Sequence, residues 1–308
     1  MDKTGELKRI LEECGRVAVA FSGGVDSTFL LCFAKETLGS ENVVAVTAVA
    51  PNFAPDEIDY ARKTAERLGV EHLCAEVQLP ELFRKNPPDR CYYCKKAVFA
   101  QLMERAESAS ANGRENVKKT NAGDCGGEDS SGCKYKTACR EKMENMEAAN
   151  AAGGGFVFCD GSNLDDMSDY RPGGRAAAEL GVRSPLREAQ LTKREIREEL
   201  KKMGIDIWDK PAFACLASRI PYGTEIKDEM LAAVYEIEKM LKDKGYTQVR
   251  ARLHDEVVRL ELLPAEMQQL AADRDLCEVL SARARDLGFA YTALDICGYR
   301  MGSLNSVL

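Results

Sequence analysis

Residues 17–27 read Val17-Ala18-Val19-Ala20-Phe21-Ser22-Gly23-Gly24-Val25-Asp26-Ser27, and this stretch decides the fold of the 308-residue chain. A short apolar run is a buried strand, the serine and two glycines are a turn, and the following residues open a helix. Adjacent glycines take backbone angles closed to other residues, so consecutive N–H groups can curve round a phosphate at the positive end of that helix. Ser22 and Ser27 add hydroxyl donors. The lysine of the G-x-x-x-x-G-K-[ST] loop is missing, so γ-phosphate transfer of the Walker kind is a weak reading. The spacing alone supplies a phosphate nest.

Outward from this loop the first half alternates strand and helix: strand Val17–Phe21, helix Ser27–Leu38, strand Val43–Val49, helix Asp56–Leu68, strand Leu73–Val77 and a later strand Phe156–Cys159. Strands separated by helices form a parallel sheet with right-handed crossovers, and such sheets bind ligands beyond the carboxyl ends of their strands, where Ser22–Ser27 falls. Residues 108–155 differ in texture, being rich in Ser, Ala, Asn, Gly, Lys and Glu, and read as a flexible insertion. Thr192-Lys193-Arg194-Glu195 has capping-box form and starts a helix reaching about Met203. From Lys227 the pattern is helix to Asp243, strands Gln248–Leu253 and Val257–Leu262, and one long helix Pro264–Leu287, a smaller α+β domain. Period two puts Arg250, Arg252 and His254 on one face, opposite Arg259 and Glu261; a solvated charged face is the plain alternative. Trp208, the one tryptophan, is expected to pack between domains. The expected division is 1–210 and 211–308.

A chain of this length with 45% hydrophobic residues builds real cores. Its start mixes charges and no apolar run is long enough for a membrane span, so a cytoplasmic protein is expected. Net charge is −7, which argues against a broad nucleic-acid-binding face. His72 and His254 are the only histidines, excluding chemistry built on several of them. Twelve cysteines without an export signal are expected to be thiols, metal ligands or redox groups rather than a disulfide frame.

Among these, Cys91-Tyr92-Tyr93-Cys94 places two thiols one helical turn apart. Such a pair can be a redox dithiol, half of a zinc site, part of an iron–sulfur site, or nothing. Zinc needs two further ligands and the chain has no second C-x-x-C; Cys215 is a candidate third ligand. Cys125, Cys133 and Cys139 of the insertion have no fourth local ligand, and a metal clip there is the weaker reading.

The wording Ser-Gly-Gly-Val-Asp-Ser resembles the pyrophosphate (PP) loop of the N-type ATP pyrophosphatases. Together with Asn86–Lys95, Asp160-Gly161-Ser162-Asn163-Leu164-Asp165-Asp166, Tyr170-Arg171-Pro172-Gly173, Ala214–Gly223 and Gly298–Asn305, it resembles the LarE sulfur transferases nearly end to end. Residues 108–155 depart from that pattern. The resemblance implies a Rossmann-like PP-loop domain with a smaller C-terminal sulfur-transfer or oligomerisation domain. It also implies adenylation of pyridinium-3,5-biscarboxylic acid mononucleotide with pyrophosphate release, and exchange of oxygen for sulfur to give the thiocarboxylate precursor of the nickel-pincer cofactor. ATP and magnesium are the implied cofactors. Ser22, Gly23, Gly24 and Ser27 would hold pyrophosphate, with Asp26 near the metal.

Members carrying a C-x-x-C pair and a later cysteine resemble binders of a 4Fe–4S cluster, which implies Cys91, Cys94 and Cys215 as its ligands. Single-cysteine members instead sacrifice the sulfur matching that of Cys215. Asp160, Asn163 and Asp166 lie past a strand end, where they contact adenosine or substrate or else cap a helix. Arg171, Arg219, Arg250 and Arg252 suit phosphate through their guanidinium forks, or form ion pairs. Glu261 could meet a metal or a neighbouring subunit, and a homo-oligomer is expected. A tRNA thiolase is the nearest rival reading, set against by the acidic charge; a nucleotide-regulated iron–sulfur scaffold is the non-enzyme rival.

Overall fold

The computed structural model describes residues 2–115, 155–167, 172–210 and 214–300. The chain forms two compact units. The first comprises Met1–Val49, Asp56–Gln78 and Lys95–Ala212, the second Ala50–Pro55, Leu79–Cys94 and Phe213–Leu308.

The first unit runs α1 (Lys3–Cys14), β1 (Val17–Ala20), α2 (Val25–Leu38), β2 (Val43–Val49), α3 (Pro55–Leu68), β3 (Glu71–Glu76), α4 (Arg90–Glu115, its first turn counted with the second unit), β4 (Val157–Cys159), α5 (Pro172–Glu179) and α6 (Lys193–Lys202). The four strands form a parallel sheet in the order β3-β2-β1-β4. Val17, Ala18 and Val19 are fully buried, and Val43 to Val46 nearly so, as helices on both faces of a parallel sheet require. The core adds Leu7 and Leu11 from α1, Phe29, Leu30 and Leu31 from α2, and Ile196 and Leu200 from α6; burying each such side chain contributes about 1.5–3 kcal/mol. Because the chain steps from β1 out to β3 and returns to lay β4 on the other side of β1, the strand order reverses at β1. In open parallel sheets such a reversal is where ligands bind, beyond the carboxyl ends of the strands, here those of β1 and β4.

The expected α/β architecture is therefore present. The reading of 108–155 as an insertion falls largely outside the described residues, as do Cys125, Cys133 and Cys139; its first residues, Ser108 to Glu115, continue α4. Trp208 packs half-buried on the core of the first unit, with Lys201 Nζ 5.0 Å from the centre of its ring.

The second unit holds α7 (Asp228–Asp243), β5 (Arg250–His254), β6 (Val257–Glu261), α8 (Pro264–Ala272), α9 (Arg274–Asp286) and β7 (Tyr291–Leu294). β5 and β6 pair antiparallel, and β7 joins β6 in parallel. The single helix expected over Pro264–Leu287 is two. Asp273 leaves the helical region (φ −89°, ψ 86°) and its side chain accepts the Leu276 N–H, capping α9. The face bearing Arg250 and Arg252 is buried rather than solvated. Among the described residues no helix is long and apolar enough to cross a membrane.

Candidate active site

The loop after β1 leads through two glycines into the start of α2. Gly23 lies at φ 66°, where L side chains are strained, and a Cβ there would sit 3.1 Å from the Ala61 backbone. Gly24 is the N-cap of α2, extended and without a side-chain cap, so the first N–H groups of the helix are left for a ligand. Ser22 is exposed, and its Oγ lies 3.2 Å from Ser27 Oγ; Ser27 in turn donates to Gly24 O at 3.2 Å. The two hydroxyls flank the loop as the sequence suggests.

Two lysines that the sequence reading gave no chemical role complete this loop. Lys193, the first residue of α6, pairs with Asp26 Oδ2, while Asp26 Oδ1 is buried with no hydrogen-bond partner. Lys210 donates to Gly23 O at 3.2 Å and to Glu57 at 3.1 Å, with its ammonium 3.6 Å from the centre of the Tyr60 ring. Burial pushes the Lys210 ammonium below the ordinary lysine range, against the pull of Glu57. Thr192 and Glu195 fix the start of α6 by a reciprocal capping box, and that box sets Lys193 in place. Both ammonium groups thus reach the loop from residues far along the chain.

Past β4, Asp160 accepts from Ser162 N, Ser162 Oγ and Ser184 Oγ, so its carboxylate shapes its own loop. Asn163 accepts from Asp165 N and Asp166 accepts from Asn163 N, which is the capping alternative for this pair. Gly161 presses on the phosphate loop: a Cβ there would lie 2.9 Å from Ser27 N. Arg171 lies outside the described residues.

In the second unit the Asn86–Cys94 and Ala214–Gly223 segments come together. Asn86, fully buried at φ 55°, donates to Pro221 O and Thr224 O at 2.7 and 2.9 Å and is bonded by Arg90, whose guanidinium stacks on Tyr222. This lattice sets the first turn of α4 against the Cys215 loop. Cys94 Sγ and Cys215 Sγ accept from the same amide nitrogen, Asn52 Nδ2, at 3.7 and 3.2 Å. Cys91, one turn before Cys94, is exposed. Arg219 is spent on this loop: it forks onto Glu238 and donates to Ala214 O, Cys215 O and Ser218 Oγ. Arg252 forks onto Glu261 and donates to Ser218 O. Arg250, also buried, stacks on Tyr299, donates to Val249 O and has no carboxylate ion-pair partner among the described residues. Burial, reinforced by Arg219, lowers its pKa.

A family model described as asparagine synthase matches residues 7–115. A pyridinium-3,5-bisthiocarboxylic acid mononucleotide synthase of Lactiplantibacillus plantarum is 32% identical over 99% of this chain and 95% of its own length. The chain belongs to the LarE family. As a LarE protein it is an ATP-dependent sulfurtransferase of the PP-loop class. An uncharacterized protein of Synechocystis sp. is 36% identical over 99% of this chain and 98% of its own length. The likeness to an NH(3)-dependent NAD(+) synthetase of Methanopyrus kandleri, 43% over 68 residues, is confined to 21% of this chain.

The LarE chain offers donors for both inorganic groups that its family implies. The buried, unpartnered Asp26 Oδ1 suits a hard cation such as magnesium. Three thiols suit iron and sulfide in kind, and two of them already meet at Asn52. Among the described residues no three His, Cys, Asp or Glu side chains group tightly enough for one metal ion. A cluster asks for a different spacing, since each thiolate binds its own iron.

Proposed function

We propose that this chain adenylates a carboxylate of pyridinium-3,5-biscarboxylic acid mononucleotide and replaces the activated oxygen with sulfur, giving the thiocarboxylate precursor of the nickel-pincer cofactor. The observation that carries the sulfur step is the convergence of Cys94 and Cys215 on one buried amide in a chain that also bears a pyrophosphate loop. In the first step a carboxylate oxygen bonds to the α-phosphorus of ATP as the bond to pyrophosphate breaks. Ser22, Ser27 and the N–H groups around Gly23 and Gly24 hold the leaving pyrophosphate, and Lys193 stands beside it to offset its charge. Asp26 would hold magnesium. Alignment with the helix dipole adds about 0.3–1 kcal/mol. In the second step hydrosulfide attacks the acyl carbon, the bond to AMP breaks, and the thiocarboxylate is left with loss of a proton. No histidine base is called for, because hydrosulfide is already largely ionised.

Cys91, Cys94 and Cys215 would ligate a 4Fe–4S cluster, which supplies an iron open to exogenous sulfur. Arg250 supports phosphate recognition, since its guanidinium has no carboxylate ion-pair partner among the described residues. Arg252 joins it on the same strand face, although its fork is held by Glu261. Asp160, Asn163 and Asp166 shape the loop that would border the nucleotide. The enzyme is taken to work in the cytoplasm, as a homo-oligomer, on a small nucleotide rather than bulk tRNA; the net charge of −7 supports the last point.

The deciding experiment is anaerobic reconstitution with iron and sulfide. It is followed by incubation with ATP, magnesium, sulfide and the biscarboxylated nucleotide, reading product sulfur by mass spectrometry. More than one sulfur per chain is expected. A single turnover with loss of about 34 Da from Cys215, the mass of hydrogen sulfide leaving a thiol, would replace the cluster reading with sacrificial donation. Absence of any thiocarboxylate would defeat the substrate assignment.

A further inference from the structure

Asn52 lies in the turn Ala50–Phe53, closed by Phe53 N donating to Ala50 O at 3.0 Å, and is fully buried. A carboxamide has two N–H donors on one nitrogen and two lone pairs on its oxygen. Here the nitrogen faces two sulfurs, Cys215 at 3.2 Å and Cys94 at 3.7 Å, so donors and acceptors match in number. The oxygen, by contrast, is buried without any partner. Leaving a buried carbonyl oxygen unbonded is costly, and native proteins avoid it unless something else fixes the group. With the sulfurs charged or bound to a metal, turning the amide over would set its oxygen against two acceptors, so charged sulfurs favour the orientation seen, nitrogen toward Cys94 and Cys215. The Asn52 backbone adds to this, because its carbonyl accepts the Leu216 N–H at 3.0 Å and ties the turn to the residue next to Cys215.

We propose that Asn52 is a positioning residue of the sulfur site. Its amide nitrogen holds the sulfurs of Cys94 and Cys215 as a pair before any sulfur is bound, and donates to them when they are charged. The inference rests on the reading that these two cysteines handle sulfur, but its geometry does not depend on a cluster forming. Hydrogen bonds to ligating sulfurs stabilise the more reduced, more negative state of an iron–sulfur cluster. Asn52 therefore also sets the potential of any cluster bound there.

The test has two arms, each on the full chain. In cluster-free protein, a methylene-bridged bis-thiosulfonate reads the Cys94–Cys215 pair as a cross-linked peptide by mass spectrometry. Asn52→Leu, similar in volume but without donors, is expected to reduce that cross-link by roughly tenfold, the ratio one net hydrogen bond supports. Single labelling of Cys215 should persist, slowed by the loss of a donor to its thiolate, so the cross-link is read as a fraction of singly labelled protein. Asn52→Asp, which keeps the shape and swaps the donor nitrogen for oxygen, serves if the leucine variant does not fold. In reconstituted protein, the midpoint potential is expected to shift to more negative values in either variant. Wild-type cross-linking in both variants overturns the proposal. So does an unchanged potential in a variant that binds its cluster. If wild-type protein binds no cluster, the cluster reading falls and the cross-linking arm alone decides the role of Asn52.

Discussion

Cys14 and Cys159 are neighbouring thiols whose pKa values are shifted in opposite directions. The bond from Cys159 and the Arg183 guanidinium, 3.3 Å away, hold the Cys14 thiol below the ordinary range, while that same bond and full burial push Cys159 well above it. Cys32, buried and near Glu36, is pushed up to about 12. Since the thiolate is the nucleophile, brief treatment with iodoacetamide at neutral pH should label Cys14 ahead of Cys32 and Cys159. Arg183→Gln should slow Cys14 selectively, and equal labelling of all three would refute the assignment. The buried arginines behave differently. Arg219 and Glu238 are almost wholly buried and hydrogen-bonded to each other, so Glu238→Ala leaves a buried charge uncompensated. It should cost about 3–5 kcal/mol in urea unfolding; a loss near zero would mean the pair is solvated in solution. Period-two spacing placed Arg250 and Arg252 on one face correctly, but spacing carries no information about what covers a face. Burial depended on Glu261, and on the Ser218 carbonyl thirty-four residues before Arg252.

Elements with strong local signals were legible from the sequence. β2 spans Val43–Val49 as expected, and α6 starts at the capping box that marks it. What escaped was a helix break without glycine or proline, and a strand too short to carry a pattern. The break at Asp273 rests on one aspartate cap inside a continuous apolar period, and β7 is a four-residue strand with alternating exposure. In the proposed site, the glycines of the loop and the C-x-x-C pair are legible as candidates in the sequence. Lys193, Lys210 and Asn52 are not, because each acts through a long-range contact that no local pattern encodes. Gly161 shows the same thing in backbone form: Gly161→Ala must displace the start of α2 at Ser27. Misplacing a phosphate loop by about an ångström should lower pyrophosphate release roughly 100-fold, and wild-type turnover in that variant would show that the two loops yield freely. The capping box also makes a pH prediction. Lys3 first, then the Thr192 backbone and hydroxyl, hold Glu195 down to about 2 from an ordinary 4.5. A depressed carboxylate contributes stability that is complete above its unfolded pKa and is lost as pH falls through the folded one. Wild-type protein should therefore lose stability between about pH 4.5 and 2 more steeply than Glu195→Gln, read as the melting temperature at each pH.

At the scale of the molecule, the two compact units interleave along the chain, and each holds one half of the proposed chemistry. The phosphate loop, Asp26, Lys193 and Lys210 lie in the first, and Asn52, Cys91, Cys94 and Cys215 in the second. Activation of the carboxylate conserves the phosphoanhydride energy of ATP as an acyl-adenylate, and nothing in that step requires a thiol. The half-reactions should therefore separate by mutation. Cys215→Ala should retain ATP–pyrophosphate exchange dependent on the biscarboxylated nucleotide, at the wild-type rate, while forming no thiocarboxylate. Lys193→Met should lose exchange by about 100-fold, the scale of removing one group that stabilises charge in the transition state, and should lose thiocarboxylate in proportion. Asp26→Asn should lower both and should need more magnesium for half-maximal exchange, since the unpartnered oxygen or its charge is what the cation would meet. Isotope exchange from labelled pyrophosphate into ATP measures the first half without reference to sulfur. Loss of exchange in Cys215→Ala, with folding intact by circular dichroism, would mean that the thiol site helps to assemble the adenylation site, and the two halves would then have to be treated as one.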